Sequence, residues 1–248
     1  MSDQSEAHRI AFFIDFENLV TRTGISAEGF DIQPALDLLL EKGKVVFRRA
    51  YCDWSRFGSA KQNLHERGVE LVDTPPSTMA GKNGADIRLV IDALELSYMR
   101  EHVDMFAIAS GDSDFCPLAY KLRENNRYVI GMAVKESTSP MFVKACDEFI
   151  YLAPKGKQPR RGRGGAKEEA KAHVIPEIAK EMVEAILDRA SGPVNPSAIK
   201  EAIVRKEPDF DERDHGFSSF TRLLEAMEKE DLLKIESNAR GQRYVVPV

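Results

Sequence analysis

The chain has 248 residues, 43% of them hydrophobic, with a net charge of −5 and an isoelectric point near 5.7. This composition supports a real core in one large domain or two small ones, and it excludes a wholly disordered chain and one that is basic throughout. No apolar run approaches the roughly 20 residues needed to cross a bilayer, and the N-terminus MSDQSEAHRI lacks the basic head and apolar core of a signal peptide, so a cytoplasmic protein is expected.

From the N-terminus, RIAFFIDF is an apolar run ending in acid, and KVVFRRAYCDW and VELVDT are two more strand-like runs. ADIRLVIDALELSYMR carries Ile87, Val90, Ile91, Leu94 and Tyr98 at helical spacing. DMFAIASG returns to a strand pattern, FCPLAYKLRENN reads as a helix, RYVIGMAV as a strand, and SPMFVKACDEF with FIYLA closes the series. Continuously apolar strands alternating with helices predict a mostly parallel sheet covered on both faces, an α/β fold.

PKGKQPRRGRGGAKEEAKA, residues 154–172, breaks this pattern. It has almost nothing to bury and sets seven basic residues against two acidic ones, leaving a net −10 for the rest of the chain. It reads as a flexible basic linker. It is either a solvated spacer or, through Arg160, Arg161 and Arg163, a contact for a phosphate backbone. Beyond it, IPEIAKEMVEAILDRA, NPSAIKEAIVRKEP and GFSSFTRLLEAMEKEDL predict three helices. Asn195 is a candidate N-cap, with Pro196 in the first helical position. LLKIESNARGQRYVVPV predicts a terminal hairpin, and the whole outlines a winged helix-turn-helix domain.

The three cysteines, Cys52, Cys116 and Cys146, are far apart, odd in number and never in C-x-x-C spacing, which predicts buried free thiols. The chemistry lies in the acids. In an open parallel sheet, sites form beyond the carboxyl ends of the strands. Asp15 ends the first strand in FFIDFEN, and Asp112 ends the strand in DMFAIASGD, so both are expected at one sheet edge. Asp86, in GKNGADIRL, stands in the first turn of a helix, where it either complements the helix dipole or faces that edge. Asp114 is either a fourth acid or the N-cap of the next helix. Asp92 lies about 240° around the helix from Asp86 and is left out of the set. Asn18 is a candidate cap or a holder of metal-bound water or phosphate. Lys82 is either an exposed loop lysine or a phosphate contact. Converging carboxylates repel unless a cation sits among them. An all-oxygen donor set favours Mg²⁺ or Mn²⁺ and suits phosphodiester hydrolysis.

FIDFEN, GKNGADIRLVID and IASGDSDF, in that order, resemble the NYN domain of the PIN-like nuclease superfamily over residues 8–153. The resemblance implies a Rossmann-like, metal-dependent ribonuclease. Its metal-binding catalytic acids would be Asp15, Asp86, Asp112 and Asp114, and Asn18 matches the family's D-x-E-N stretch. Residues 173–248, above all FDERDHGFSSFTRLLE, resemble the LOTUS, or OST-type helix-turn-helix, domain, which implies binding of RNA or a protein partner. His215 stands where a Tyr is expected. The order of the two domains is familiar among bacterial proteins of this kind. The leading expectation is an endoribonuclease using Mg²⁺ or Mn²⁺. A catalytically silent RNA-binding adaptor is the alternative, an aspartyl phosphotransferase built on Asp15 is weaker, and DNA stays open as a substrate. Oligomeric state is not legible.

Overall fold

A computed structural model describes residues 7–21, 27, 29–75, 83–152, 174–190, 192–238 and 241–248. The chain divides into two compact units, residues 1–160 and 161–248. The expected linker, with Arg160, Arg161 and Arg163, lies outside the described residues, as does Lys82.

In the first unit, six strands form a parallel sheet: β1 (His8–Asp15), β2 (Gly43–Cys52), β3 (Glu70–Asp73), β4 (Met105–Ala109), β5 (Tyr128–Ala133) and β6 (Glu148–Tyr151). Their spatial order is β3-β2-β1-β4-β5-β6. The chain winds outward from β1 in one direction, then returns to lay β4 on its other side, in register from Ile10 opposite Met105 to Ile14 opposite Ala109. The switch point therefore falls between β1 and β4, the two strands expected to deliver Asp15 and Asp112.

β1 shows why its run is continuously apolar. Ile10, Phe12 and Ile14 enter the core on one face, and Ala11 and Phe13 enter the core on the other, the two-residue alternation of a strand buried on both sides. The first face is covered by α1 (Phe16–Thr21), α2 (Gln33–Leu40) and α3 (Lys61–Glu66), through Leu19, Leu36, Leu39 and Leu64. The second is covered by α4 (Gly84–Met99), α5 (Cys116–Glu124) and α6 (Pro140–Ala145), through Leu89, Ala93, Leu118, Leu122 and Phe142. All three cysteines are free and buried.

α4 does not present the side its apolar pattern suggests. Its buried residues are Leu89, Asp92, Ala93 and Ser97, whereas Ile87, Ile91 and Tyr98 are exposed. Asp92 takes the inward position because it is fully partnered. The Tyr51 hydroxyl donates to it at 2.9 Å, Arg49 at 3.0 Å and Arg88 at 2.9 Å. It is a structural acid on the sheet face, away from the strand tips.

The second unit comprises α7 (Glu177–Leu187), α8 (Pro196–Lys206), α9 (Phe220–Lys229) and the antiparallel pair β7 (Lys234–Ser237) and β8 (Arg243–Val246). Asn195 caps α8 by accepting from the Ser197 N–H at 2.9 Å, and Ser219 caps α9. Ala179, Val183, Ile199, Ile203, Leu223, Met227 and Val245 share one core, and Val194 bridges to Val245 beside the hairpin. This is the expected helical domain with its wing.

Asp92→Ala leaves the Tyr51 hydroxyl and the half-covered Arg49 guanidinium without their common acceptor. It is expected to lower unfolding free energy by about 2–3 kcal/mol in urea titrations, toward the low end for a broken buried pair because Arg49 keeps some solvent and Glu70.

Candidate active site

Asp15 is the last residue of β1, and α1 starts at the next position. Its carboxylate is 5% exposed. One oxygen accepts from the Asn18 backbone N–H at 3.2 Å, an N-cap geometry, and the other accepts from the Ser110 hydroxyl at 2.9 Å. The expectations of a cap residue and of a site acid thus fall on the same side chain.

Two hydrogen bonds tie the tip of β4 to the end of β1 and the start of α1, and a third steadies the β4 tip itself. Ser110, fully buried, donates to Asp15 while its Oγ accepts from the Asp112 N–H at 3.2 Å. Asn18 is also buried, and its Oδ1 accepts from the Gly111 N–H at 3.2 Å. Gly111 is required here by space. A Cβ would collide with the Ser137 carbonyl oxygen, and the Gly111 carbonyl accepts from the Ser139 N–H at 2.9 Å. The tip of β4 is thereby clamped between α1 and the loop after β5.

β4 ends at Ala109, three residues before Asp112. Asp112 instead caps a 3-10 turn, Ser113–Phe115, by accepting from the Asp114 N–H at 3.1 Å. The capping duty weighed for Asp114 therefore falls to Asp112. Asp114 is exposed at the rim of the group, and Asp86 stands in the first turn of α4.

The acids act on one another. Burial, then the charge of Asp86, and to a lesser degree that of Asp112, push the Asp15 carboxyl up from 3.8 to about 7, against the opposing hydrogen bonds from Ser110 and Asn18. Ionising Asp15 in place therefore costs on the order of 4 kcal/mol. The edge is more acidic than those three residues alone. Glu17, Asp53 and Asp73 also act on the Cys52 thiol at the tip of β2, which burial chiefly holds far above its usual range.

Among the described residues, no three His, Cys, Asp or Glu side chains stand close enough to form a complete ligand set. Asp15 feels the charges of Asp86 and Asp112, yet the three do not close on a common point. With an all-oxygen donor set and a buried carboxylate that resists ionising alone, this suits a hard divalent ion that keeps several waters and takes only one or two carboxylates directly.

Residues 9–153, more than half of the chain, match the NYN domain. The chain belongs to the NYN family. Residues 174–245 match the OST-HTH/LOTUS domain. The NYN domain is a PIN-like nuclease domain and the LOTUS domain binds RNA, so the pairing supports a role in nuclease chemistry or RNA binding. The chain is 26% identical over 145 residues to an uncharacterized protein of Methanocaldococcus jannaschii, covering 58% of this chain and 55% of that protein. It thus spans about half the length of that relative. It is also similar to the crystal structure of a protein of unknown function from Vibrio parahaemolyticus, with a TM-score of 0.51 and 25% identity over 62% of this chain and 96% of that one. The six-stranded parallel sheet is the α/β architecture expected for an NYN domain.

Sequence reasoning passed over Ser110. The only available signal was a hydroxyl placed between a buried strand and the Gly-Asp that follows it. Ser110→Ala removes the donor to Asp15 and the acceptor for Asp112; if Mn²⁺ binds at these acids, the variant is expected to weaken its affinity by about 10–100-fold in calorimetric titration, with near-normal folding because Ala fits the same space.

The shift on Asp15 has a sign. Between about pH 4 and pH 7 the unfolded chain has lost this proton while the folded chain retains it. The folded state then binds more protons, so metal-free stability falls as pH rises through that window and levels off above about 7. Asp15→Asn should remove this slope. Measured by urea unfolding in EDTA, it is expected to match wild type near pH 4 and exceed it by on the order of 4 kcal/mol at pH 8.

Proposed function

We propose that this protein is a metal-dependent ribonuclease whose sheet-edge acids, Asp15, Asp86, Asp112 and Asp114, form its catalytic centre. The observation that carries this reading is Asp15: a buried carboxylate held at the switch point and kept from ionising freely by burial and by Asp86 and Asp112. An edge this acidic repels a phosphodiester, so a substrate can approach only when cations offset the charge.

Asp15, Asp86 and Asp112 would hold Mg²⁺ or Mn²⁺, with Asp114 as the outer member. Bound there, the ion supplies charge neutralisation on the scissile phosphate and a lowered pKa for an attacking water. The chain's own residues provide the rest. Ser110 and the Asn18 N–H orient the Asp15 oxygens and favour their ionised form. Asn18 and the loop after β5 hold the Gly111–Asp112 backbone, which fixes where the Asp112 carboxylate stands. Asp114, exposed at the rim, is the acid suited to take a proton from the attacking water and release it to solvent. The Asn18 oxygen accepts from the loop, which leaves its amide nitrogen to donate to a phosphate oxygen. Lys82 and the arginines of residues 154–172 would steer the strand toward this edge, and the LOTUS domain would hold RNA or a protein partner. The setting would be the cytoplasm.

Labelled single-stranded RNA tests the reading. Wild type should cleave with Mn²⁺ or Mg²⁺ and not with EDTA, and Asp112→Asn should lose at least about 10³-fold in rate under matched metal. The Asn side chain keeps the oxygen that accepts from Asp114, so the turn should survive. Cleavage by Asp112→Asn at the wild-type rate would place the chemistry elsewhere. RNA binding indifferent to EDTA, with no cleavage by wild type, would favour the adaptor reading. Replacing Arg160, Arg161 and Arg163 with Gln should flatten the slope of log K against log salt by roughly two, as three lost phosphate contacts require.

A further inference from the structure

α4 carries an apolar stripe that the fold uses only in part, through the half-buried Leu94. Its inward side fills the core with Leu89, Ala93 and Ser97 and buries the partnered Asp92. Its outward side shows Ile87 at 54%, Ile91 at 53% and Tyr98 at 61% exposure, with the half-buried Leu94 closing the gap between them. These positions fall within about 60° of one another around the helix. The neighbouring α5 extends the surface. Lys121 lies within electrostatic reach of Tyr98, and Tyr120, the residue before it in α5, is 50% exposed on a side about 100° from it. Single exposed apolar residues are ordinary, but an aligned stripe of this length marks a contact surface.

We propose that this α4 face is a dimer interface, in which α4 packs antiparallel against α4 of a second copy of the chain. Three observations select that occupant. The spacing of Ile87, Ile91, Leu94 and Tyr98 is four, three, four and so reads the same in both directions. A two-fold axis near the helix midpoint then sets Ile87 against Tyr98 and Ile91 against Leu94 of the other copy, which is self-complementarity of the kind an isologous interface needs. Arg88 and Glu95 flank the stripe on one side, and the same axis brings each Arg88 within about 3 Å, along the seam, of the level of the other copy's Glu95. Finally, the flanking charges are of both signs, Arg88 and Lys121 with Glu95 and Glu124, and Ile87 and Ile91 offer no stacking surface, so the face suits protein rather than a phosphate backbone.

The size of the contact sets its strength. The stripe runs about 16 Å, roughly three helical turns, so one helix pair with Tyr120 at its margin lies at the small end of specific interfaces. That corresponds to a reversible dimer with Kd on the order of 10 μM. Because α4 begins beside Asp86, the antiparallel seam places the two Asp86 positions roughly 20 Å apart along its length. The inference does not depend on the nuclease reading.

Sedimentation velocity of the full chain from about 1 to 200 μM tests it. Wild type is expected to pass from monomer to dimer across that range. Ile91→Asp and, separately, Tyr98→Asp each place a charge in the seam and should raise Kd at least about 100-fold, leaving monomer throughout. Thermal unfolding of both variants should match wild-type monomer, since neither side chain belongs to the core. A wild type that stays monomeric overturns the proposal, as does a dimer that persists unchanged in both variants. Loss of RNA binding in Ile91→Asp from a monomeric wild type would make the face a nucleic-acid surface and overturn it equally.

Discussion

The N-terminal unit is organised around a carboxylate that it cannot comfortably ionise. Asp15 sits at the end of a strand buried on both faces, so its surroundings are set by the cores that make the sheet stable. A strand tip at the switch point is the one place where the interior meets a crevice. An acid placed there is desolvated by the fold. The raised pKa follows from that position, and from Asp86 and Asp112 arriving at the same edge.

What keeps the arrangement usable is neutral. Ser110 and Asn18 add no charge to an edge already crowded with acids. Each ties β1 or α1 to the β4 tip with a hydrogen bond of 2.9–3.2 Å. Gly111 lets the loop after β5 close over that tip. A basic brace would have satisfied the carboxylates permanently and left no vacancy in charge for a cation. Neutral bracing positions the acids without cancelling their charge. The same sheet handles Asp92 in the opposite way. Arg49, Arg88 and Tyr51 satisfy it completely, and it is thereby taken out of chemistry.

Family membership, the sheet order and the coupling of three acids converge on one edge of one domain. α4 links that edge to the molecular surface. It carries Asp86 in its first turn, gives Leu89, Ala93, Ser97 and a paired acid to the interior, and leaves Ile87, Ile91 and Tyr98 outside. The inward side has to lie flat on a sheet already filled by Phe13, Tyr51 and Phe106, where Ala93 and Ser97 fit and two isoleucines would not.

Much of this was legible in the residues. Continuous apolar strands alternating with helices identified a doubly covered parallel sheet, and Asp15 was legible as the acid at the end of its first strand, because both signals are local. Asn195 as a cap was legible for the same reason. Ser110 was not legible, since a serine after a strand has no local signature and its two partners are 95 and two residues away. The exchange of capping duty from Asp114 to Asp112 was decided by where β4 stops, which depends on its register with β1. The outward turn of Ile87, Ile91 and Tyr98 was hidden for a related reason. Periodicity shows that a helix has an apolar side, and only packing against the sheet decides which side faces in. The sequence by itself determined the elements, their kinds and the acids at their ends. Tertiary structure alone decided which acids share a field, which neutral groups hold them and which apolar side chains remain outside, because each of those is settled by contacts between segments far apart in the chain.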